Sequence, residues 1–216
     1  MDILQEATAL FNDLSKYKFT FIFGNKKREQ QVITISASDE HFPHLIGLDK
    51  LTDIADSIYR GKSKAKIVAG IQNGEIKLSE IEKSSLYIHG QFEHSIENRI
   101  KFFPLIKPIF DEGIDVGEAS FIFLKKKAYS KIDADYLLRL KIRQDSKEYY
   151  LNLFLKKDKL SNDYIPISFF PRLNNDYEKT QTRLTLLYRK KENGEISEEL
   201  YVHKNYTPPS SPEIES

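Results

Sequence analysis

Apolar residues in the first half of the chain recur with the spacing of α-helices. The helices that this spacing predicts cover 3–14, 49–59, 64–69, 78–84 and 92–103. Two strand-like runs, Tyr17–Phe23 and Gln31–Ser36, interrupt this helical pattern. They flank the turn-forming Gly24-Asn25-Lys26-Lys27, so we predict a β-hairpin there.

The pattern changes near residue 117 to short runs rich in β-branched and aromatic residues. Charged or turn-forming stretches separate these runs, as in an antiparallel meander. The runs are Ser120–Leu124, Tyr136–Ile142, Tyr149–Leu155, Ile165–Phe170 and Arg183–Tyr188. Helices followed by strands are typical of α+β folds. We therefore predict N-terminal helices and a hairpin packed on one face of a C-terminal antiparallel sheet of four to five strands.

The length of 216 residues fits one domain, and we predict a single α+β domain over 1–205. From Thr207 the chain reads Thr-Pro-Pro-Ser-Ser-Pro-Glu-Ile-Glu-Ser. That composition buries too little apolar surface to offset the entropy of ordering. We therefore predict that 206–216 is a disordered tail.

Several classes of function are excluded by residue types that the chain lacks. It has no cysteine, so neither disulfides nor thiolate metal sites form. The Walker A, dinucleotide-binding, nucleophile-elbow and H-E-x-x-H motifs are all missing. The N-terminal residues do not resemble a signal peptide, and no apolar run is long enough for a membrane helix. We expect a cytoplasmic protein that does not contact membranes.

Charge is distributed unevenly along the chain, although the net charge is only +1. Residues 121–192 contain 17 Lys and Arg against 9 Asp and Glu, whereas the segments on either side are net negative. An asymmetry of this kind indicates either a surface that faces a polyanion or ordinary solvated strand faces rich in lysine.

The polar residues permit metal-independent cleavage of RNA. That reaction needs a proton-transfer group, a cation for the charge on the phosphorane, and a group that positions the phosphate. Histidine transfers protons near neutral pH, so His41 or His44 are candidates; alternatively, one caps a helix and the other is solvated. Pro43 lies between them and disfavours a pair of metal ligands on one helix. Arg99 and Ser168 supply the cation and the hydroxyl. Further candidates for substrate binding are His41, Lys101, Lys156, Arg172 and Tyr177.

Three segments carry a resemblance to a known family. Phe42-Pro43-His44-Leu45-Ile46-Gly47-Leu48 resembles the phenylalanine–x–His–Leu–x–Gly–Leu signature of phage- and mobile-element-associated nucleases of barnase–EndoU–colicin–RelE type. The stretch from Ser84 to Phe103, and the stretch from Leu153 to Gln181, are similar to its other recurrent segments. The resemblance covers about 17–190 and implies a RelE- or barnase-like fold.

By this resemblance His44 is the motif histidine, His41 is not, and Arg99 and Ser168 belong to the other two segments. The resemblance implies a metal-independent endoribonuclease of toxin or phage-defence type that needs no cofactor. Its substrate would be tRNA or mRNA, and its partner an inhibitor or immunity protein. The alternatives are a non-catalytic RNA- or protein-binding module, and a structural or regulatory protein of a mobile element. Convergence of His44, Arg99 and Ser168 in one cleft distinguishes the enzyme from the others.

Overall fold

The computed structural model describes residues 1–27, 29–88, 92, 95–110, 119–124 and 132–207. Within them, helices precede most of the strands, and the fold class is α+β, as predicted. The α-helices are α1 (Ile3–Ser15), α2 (Phe42–Leu45), α3 (Ala55–Tyr59), α4 (Lys64–Gln72), α5 (Leu78–Ile81) and α6 (Ile96–Phe102), and 3₁₀ turns cover Leu48–Lys50, Thr52–Ile54 and Phe103–Ile109. None of these helices is long and apolar enough to cross a membrane.

The strands of the described residues form one sheet of eight, in the order β1-β2-β6-β5-β4-β3-β7-β8. They are β1 (Lys18–Gly24), β2 (Gln30–Ile35), β3 (Ala119–Phe123), β4 (Tyr136–Gln144), β5 (Lys147–Lys157), β6 (Tyr164–Arg172), β7 (Thr182–Glu192) and β8 (Ser197–Val202). Strand β1 pairs with both β2 and β7, so the described strands β1 to β7 close into a ring. Strand β8 lies outside the ring and pairs antiparallel with β7.

The antiparallel sheet predicted for the second half is confirmed, because β3 to β7 pair antiparallel with one another. The predicted number of four to five strands is wrong. The N-terminal hairpin joins the same sheet, and a parallel bridge from Ile35 to Tyr164 makes the sheet mixed. Strand β8 was not predicted, since Leu200 is its only buried residue and the apolar alternation is weak.

The two faces of the sheet pack differently. The inner face forms the main core with the helices and includes Phe21, Leu138, Leu153 and Phe169. The opposite face, called the outer face here, carries a small separate cluster of Ile122, Leu137, Phe154 and Phe170. Partly buried side chains, among them Tyr177, pack against this cluster.

Strand β6 positions the candidate site. Among the described residues β6 pairs with β2 only at Tyr164. Most of the β6 edge that faces β2 therefore lacks a pairing partner within these residues. Helices α2 and α6 both pack against β6. The segments that contain His44, Arg99 and Ser168 therefore meet at this edge.

Three predicted helices are shorter than their apolar spacing indicates. Within 78–84 only Leu78–Ile81 is α-helical. Within 49–59 only the last five residues are α-helical, since Leu51 adopts φ −78° and ψ 64°. The Asp53 side chain there accepts hydrogen bonds from Ser84 and Ser85 instead of capping a helix. In 92–103 the helix starts after Ser95, and residues 93 and 94 lie outside the described residues. The same holds for 208–216, so the disordered tail stays a prediction.

Candidate active site

A short helix and a glycine turn hold His44 at the surface. Pro43 occupies the first turn of α2, and Gly47 reverses the chain with φ +82°, a conformation that glycine adopts without steric cost. Leu45 and Leu48 are buried and anchor the turn. The His44 side chain, directly before Leu45, remains 51% exposed, so its backbone is fixed while its imidazole reaches solvent.

His44 forms a close pair with Asp49. The Nδ1 atom of His44 lies 2.6 Å from Oδ2 of Asp49. Because a carboxylate only accepts hydrogen bonds, Nδ1 carries the proton in this pair and Nε2 keeps a free lone pair when the ring is neutral. Asp49 therefore selects the tautomer in which Nε2 can accept a proton.

Arg99 is a buried cation at the same place. It is 4% exposed, and its Nη1 donates a long hydrogen bond of 3.4 Å to the carbonyl oxygen of Leu45. Its Cζ lies 5.4 Å from the centroid of the Phe170 ring. Among the described residues its Nε has no hydrogen-bond partner and no carboxylate lies within ion-pair distance. Burial lowers the pKa of Arg99 to about 10, so the guanidinium stays charged at neutral pH.

Lys50 adds a second cation that the sequence analysis missed. Partial burial and the nearby Arg99 guanidinium lower the pKa of its ammonium, and Asp49 opposes this shift. Two like charges that perturb each other are stabilised by an anion bound between them. The only sequence signal was the position of Lys50 directly after Asp49, which is an ordinary arrangement for exposed residues.

Ser168, Arg172 and Tyr177 lie on the outer face near Arg99. Ser168 is the cross-strand partner of Phe154, and cross-strand partners share a face. The Tyr177 ring packs on Phe154 at 5.1 Å and on Phe170 at 5.6 Å between centroids. The Cζ of Arg172 lies 5.2 Å from the Tyr177 ring. Arg99, Arg172 and Tyr177 thus converge around Phe170, with Ser168 two residues away on the same strand face.

His41 is not part of this group. Its acidic neighbours in the sequence indicate a side chain more exposed than that of His44, and this expectation is wrong. His41 is half-buried, whereas His44 is exposed. Residue 41 is the N-cap of α2, and its Nδ1 accepts a hydrogen bond of 3.0 Å from the backbone of Ser38. Burial and then Lys64 lower its pKa. These contacts fit a structural role.

Lys101 and Lys156 have other neighbours. The Lys101 ammonium lies 5.9 Å from the Phe102 ring centroid, and Lys156 forms an ion pair with Asp133. The structure shows no contact of either lysine with His44 or Arg99. The described residues also contain no group of three His, Cys, Asp or Glu side chains that could hold a metal ion.

Comparison with known proteins identifies the family to which the chain belongs. A family model described as phage-Barnase-EndoU-ColicinE5/D-RelE like nuclease4 matches residues 3–205. The chain belongs to this nuclease family. The resemblance seen in Phe42–Leu48 is thereby confirmed, and membership in the family implies a nucleic-acid substrate. No curated protein matches the chain, and no solved structure does.

Proposed function

We propose that this member of the family is a metal-independent endoribonuclease whose active site is the group around His44, Asp49 and Arg99. The observation that carries the proposal is the pairing of a buried cation, without a carboxylate partner among the described residues, with an oriented histidine on the adjoining turn. A buried charge outside an ion pair is costly, although the Asp49 carboxylate favours the charged form of Arg99. A bound phosphate would compensate the Arg99 charge.

In the proposed reaction His44 acts first as a base and then as an acid. Its Nε2 accepts the proton of the ribose 2′-hydroxyl while the 2′-oxygen attacks phosphorus. Asp49 stabilises the imidazolium that forms, since its carboxylate already contacts Nδ1. The imidazolium returns the proton to the 5′-oxygen as the P–O5′ bond breaks. The products are a 2′,3′-cyclic phosphate and a free 5′-hydroxyl.

The cations supply the electrostatic part of catalysis. Arg99 and Lys50 neutralise the extra negative charge of the phosphorane. Ser168 orients a phosphate oxygen from β6, and Arg172 and Tyr177 bind the neighbouring nucleotide. The proposed substrate is tRNA or mRNA in the cytoplasm, and an inhibitor or immunity protein would cover the same group of residues.

The test is cleavage of RNA by the purified full-length chain in the presence of EDTA. We expect fragments with 2′,3′-cyclic phosphate ends from the unaltered protein and none from His44→Ala. His41→Ala is the matched control, because that histidine lies three residues earlier and lacks contact with Asp49 or Arg99; it should cut normally. RNA that is bound but not cut by the unaltered protein would refute the enzyme and favour the non-catalytic RNA-binding module.

A further inference from the structure

The outer face continues beyond Arg172 as an alternation of cations and tyrosines. Lys141, Tyr150 and Arg172 are successive cross-strand partners on β4, β5 and β6, so their side chains form one row. Arg143, two residues after Lys141, lies on the same face at the outer end of this row. At the other end of the row, on β6, the Arg172 guanidinium lies over the Tyr177 ring. We call these five residues the outer strip.

A buried ion pair makes the centre of the outer strip rigid. The Arg139 guanidinium lies 5.1 Å from the Tyr150 ring centroid. Arg139 is buried, donates to Ser120 Oγ over 3.0 Å and forms an ion pair with Glu178. Glu178 follows Tyr177 directly, so the same ion pair holds Tyr177 against the sheet. Both tyrosines of the strip are half-buried and their rings are held in place.

The outer strip keeps an excess of positive charge. Lys141 and Arg143 share the single carboxylate of Glu148, at 2.7 Å and 3.1 Å. Their side chains remain 42% and 74% exposed. One carboxylate between two exposed cations leaves a net positive charge, and the strip runs from there to the phosphate site proposed at Arg99.

We propose that the outer strip binds an unpaired stretch of RNA and leads it to the scissile position. The inference rests on the proposed function for the identity of the substrate. Cations that track a phosphate backbone, with aromatic rings on which bases stack, are the means by which proteins bind single strands. Paired bases in an A-form duplex do not expose their faces for such stacking. The preferred substrate is therefore a single-stranded loop or linker and not a duplex.

Binding to RNA of the full-length His44→Ala protein tests the outer strip without cleavage. The probe is a fluorescently labelled single strand of about 12 nucleotides, within the usual range of site sizes. We expect Tyr150→Leu to weaken binding by about tenfold, the loss typical of one stacked base. Lys141→Gln should lower the slope of log affinity against log salt by about 0.7, the value for one phosphate contact of a single strand.

Tyr17→Leu provides the matched control. Tyr17 has a similar cation neighbour, with the Lys191 ammonium 5.4 Å from its ring centroid, but lies on α1's connection to β1. Its loss should leave RNA affinity unchanged. The proposal would be overturned if Tyr150→Leu left the RNA affinity unchanged, or if the two tyrosine variants lost affinity equally. It would also be overturned by an unchanged salt slope in Lys141→Gln, or by equally tight binding of a duplex of the same sequence.

This experiment separates the strip from the catalytic proposal. Weaker binding in Tyr150→Leu supports the strip even if the unaltered protein cuts no RNA, in which case only the enzyme fails. Cleavage by the unaltered protein together with unchanged binding in Tyr150→Leu would refute the strip alone. Thermal unfolding of each variant identifies a fold defect, and the exposed Lys141→Gln change keeps the test decisive if Tyr150→Leu does not fold.

Discussion

The Nη1 atom of Arg99 lies 3.4 Å from the carbonyl oxygen of Leu45, a residue 54 positions earlier in the chain. This hydrogen bond joins α6 directly to the turn that carries His44, Asp49 and Lys50. A cation and a proton-transfer group from separate segments are therefore held at a fixed separation, which is what a phosphodiester-cleaving site needs.

Replacing Arg99 by methionine should separate function from stability. Methionine keeps most of the volume and removes a buried charge that has no carboxylate partner among the described residues. We expect the free energy of unfolding in urea to stay the same or to rise. The rate of RNA cleavage should fall by about 10²-fold or more.

Arg139→Met is the matched control for this change. Arg139 is similarly buried but pairs with Glu178 and donates to Ser120, so its loss breaks an ion pair and a buried hydrogen bond, although Arg183 still contacts Glu178. We expect a cost of about 3 kcal/mol in unfolding free energy. Equal destabilisation by the two substitutions would show that Arg99 is an ordinary structural cation.

Asp49→Asn should change the tautomer of His44 without changing its position. An asparagine amide can donate to Nδ1, which moves the ring proton to Nε2 and removes the proposed base. We expect a loss of about 10²-fold in kcat. Asp53→Asn serves as the comparison, since Asp53 bonds to Ser84 and Ser85 instead; it should lower stability and leave kcat unchanged. A normal kcat in Asp49→Asn would remove Asp49 from the mechanism.

The sequence predicted the sheet of the second half well, because its strands alternate between a buried inner face and a partly exposed outer face. It also indicated three segments that the structure brings together, since α2 and α6 both pack against β6. It did not predict the burial of Arg99, since the apolar stripe of its own helix places that residue only at the edge. Contacts with Leu45 and Phe170, which come from distant segments, bury the guanidinium. Long-range packing of this kind leaves no local periodicity.

The relative exposure of His41 and His44 was not readable from the sequence either. Acidic neighbours made His41 look exposed, but its ring turns back to the Ser38 backbone. Lys50 gave no signal, because a lysine after an aspartate is common on solvated surfaces. Strand β8 was not predicted because it is short and mostly polar, with Leu200 as its buried residue.

Gly47→Ala should displace Arg99. An added Cβ at Gly47 would lie 3.2 Å from the Arg99 Cδ and 3.3 Å from the Ile96 Cγ1, at a φ of +82°. We expect a loss of about 2 kcal/mol in unfolding free energy together with slower RNA cleavage. Gly61→Ala has a similar φ of +68° and nothing within 4 Å, so it should cost only about 1 kcal/mol and leave cleavage intact. Equal unfolding free energies and equal cleavage rates in the two variants would mean that the turn adjusts to the added Cβ without moving Arg99.

Stability should decrease in mild acid through His41. Burial and then Lys64 lower its pKa below the ordinary value of 6.5. The unfolded chain therefore takes up a proton at a higher pH than the folded chain. The stabilisation is complete above the unfolded pKa and is lost as pH falls through the folded pKa. The difference in urea midpoint between about pH 7.5 and about pH 5 should shrink in His41→Gln. An unchanged difference would show that His41 contributes nothing to acid sensitivity.

The ring of strands also determines at what stage of synthesis the sheet can close. Lys18 at the start of β1 pairs with Glu192 at the end of β7, so closure joins residues that lie far apart in the sequence. Pairings of such high sequence separation form late and slowly. A growing chain that has emerged as far as Tyr177 already contains His44, Asp49, Arg99 and Ser168 but has no β7 to close on. We expect the ribosome-bound chain to acquire a stable arrangement of these four residues only after β7 has been made and has paired with β1.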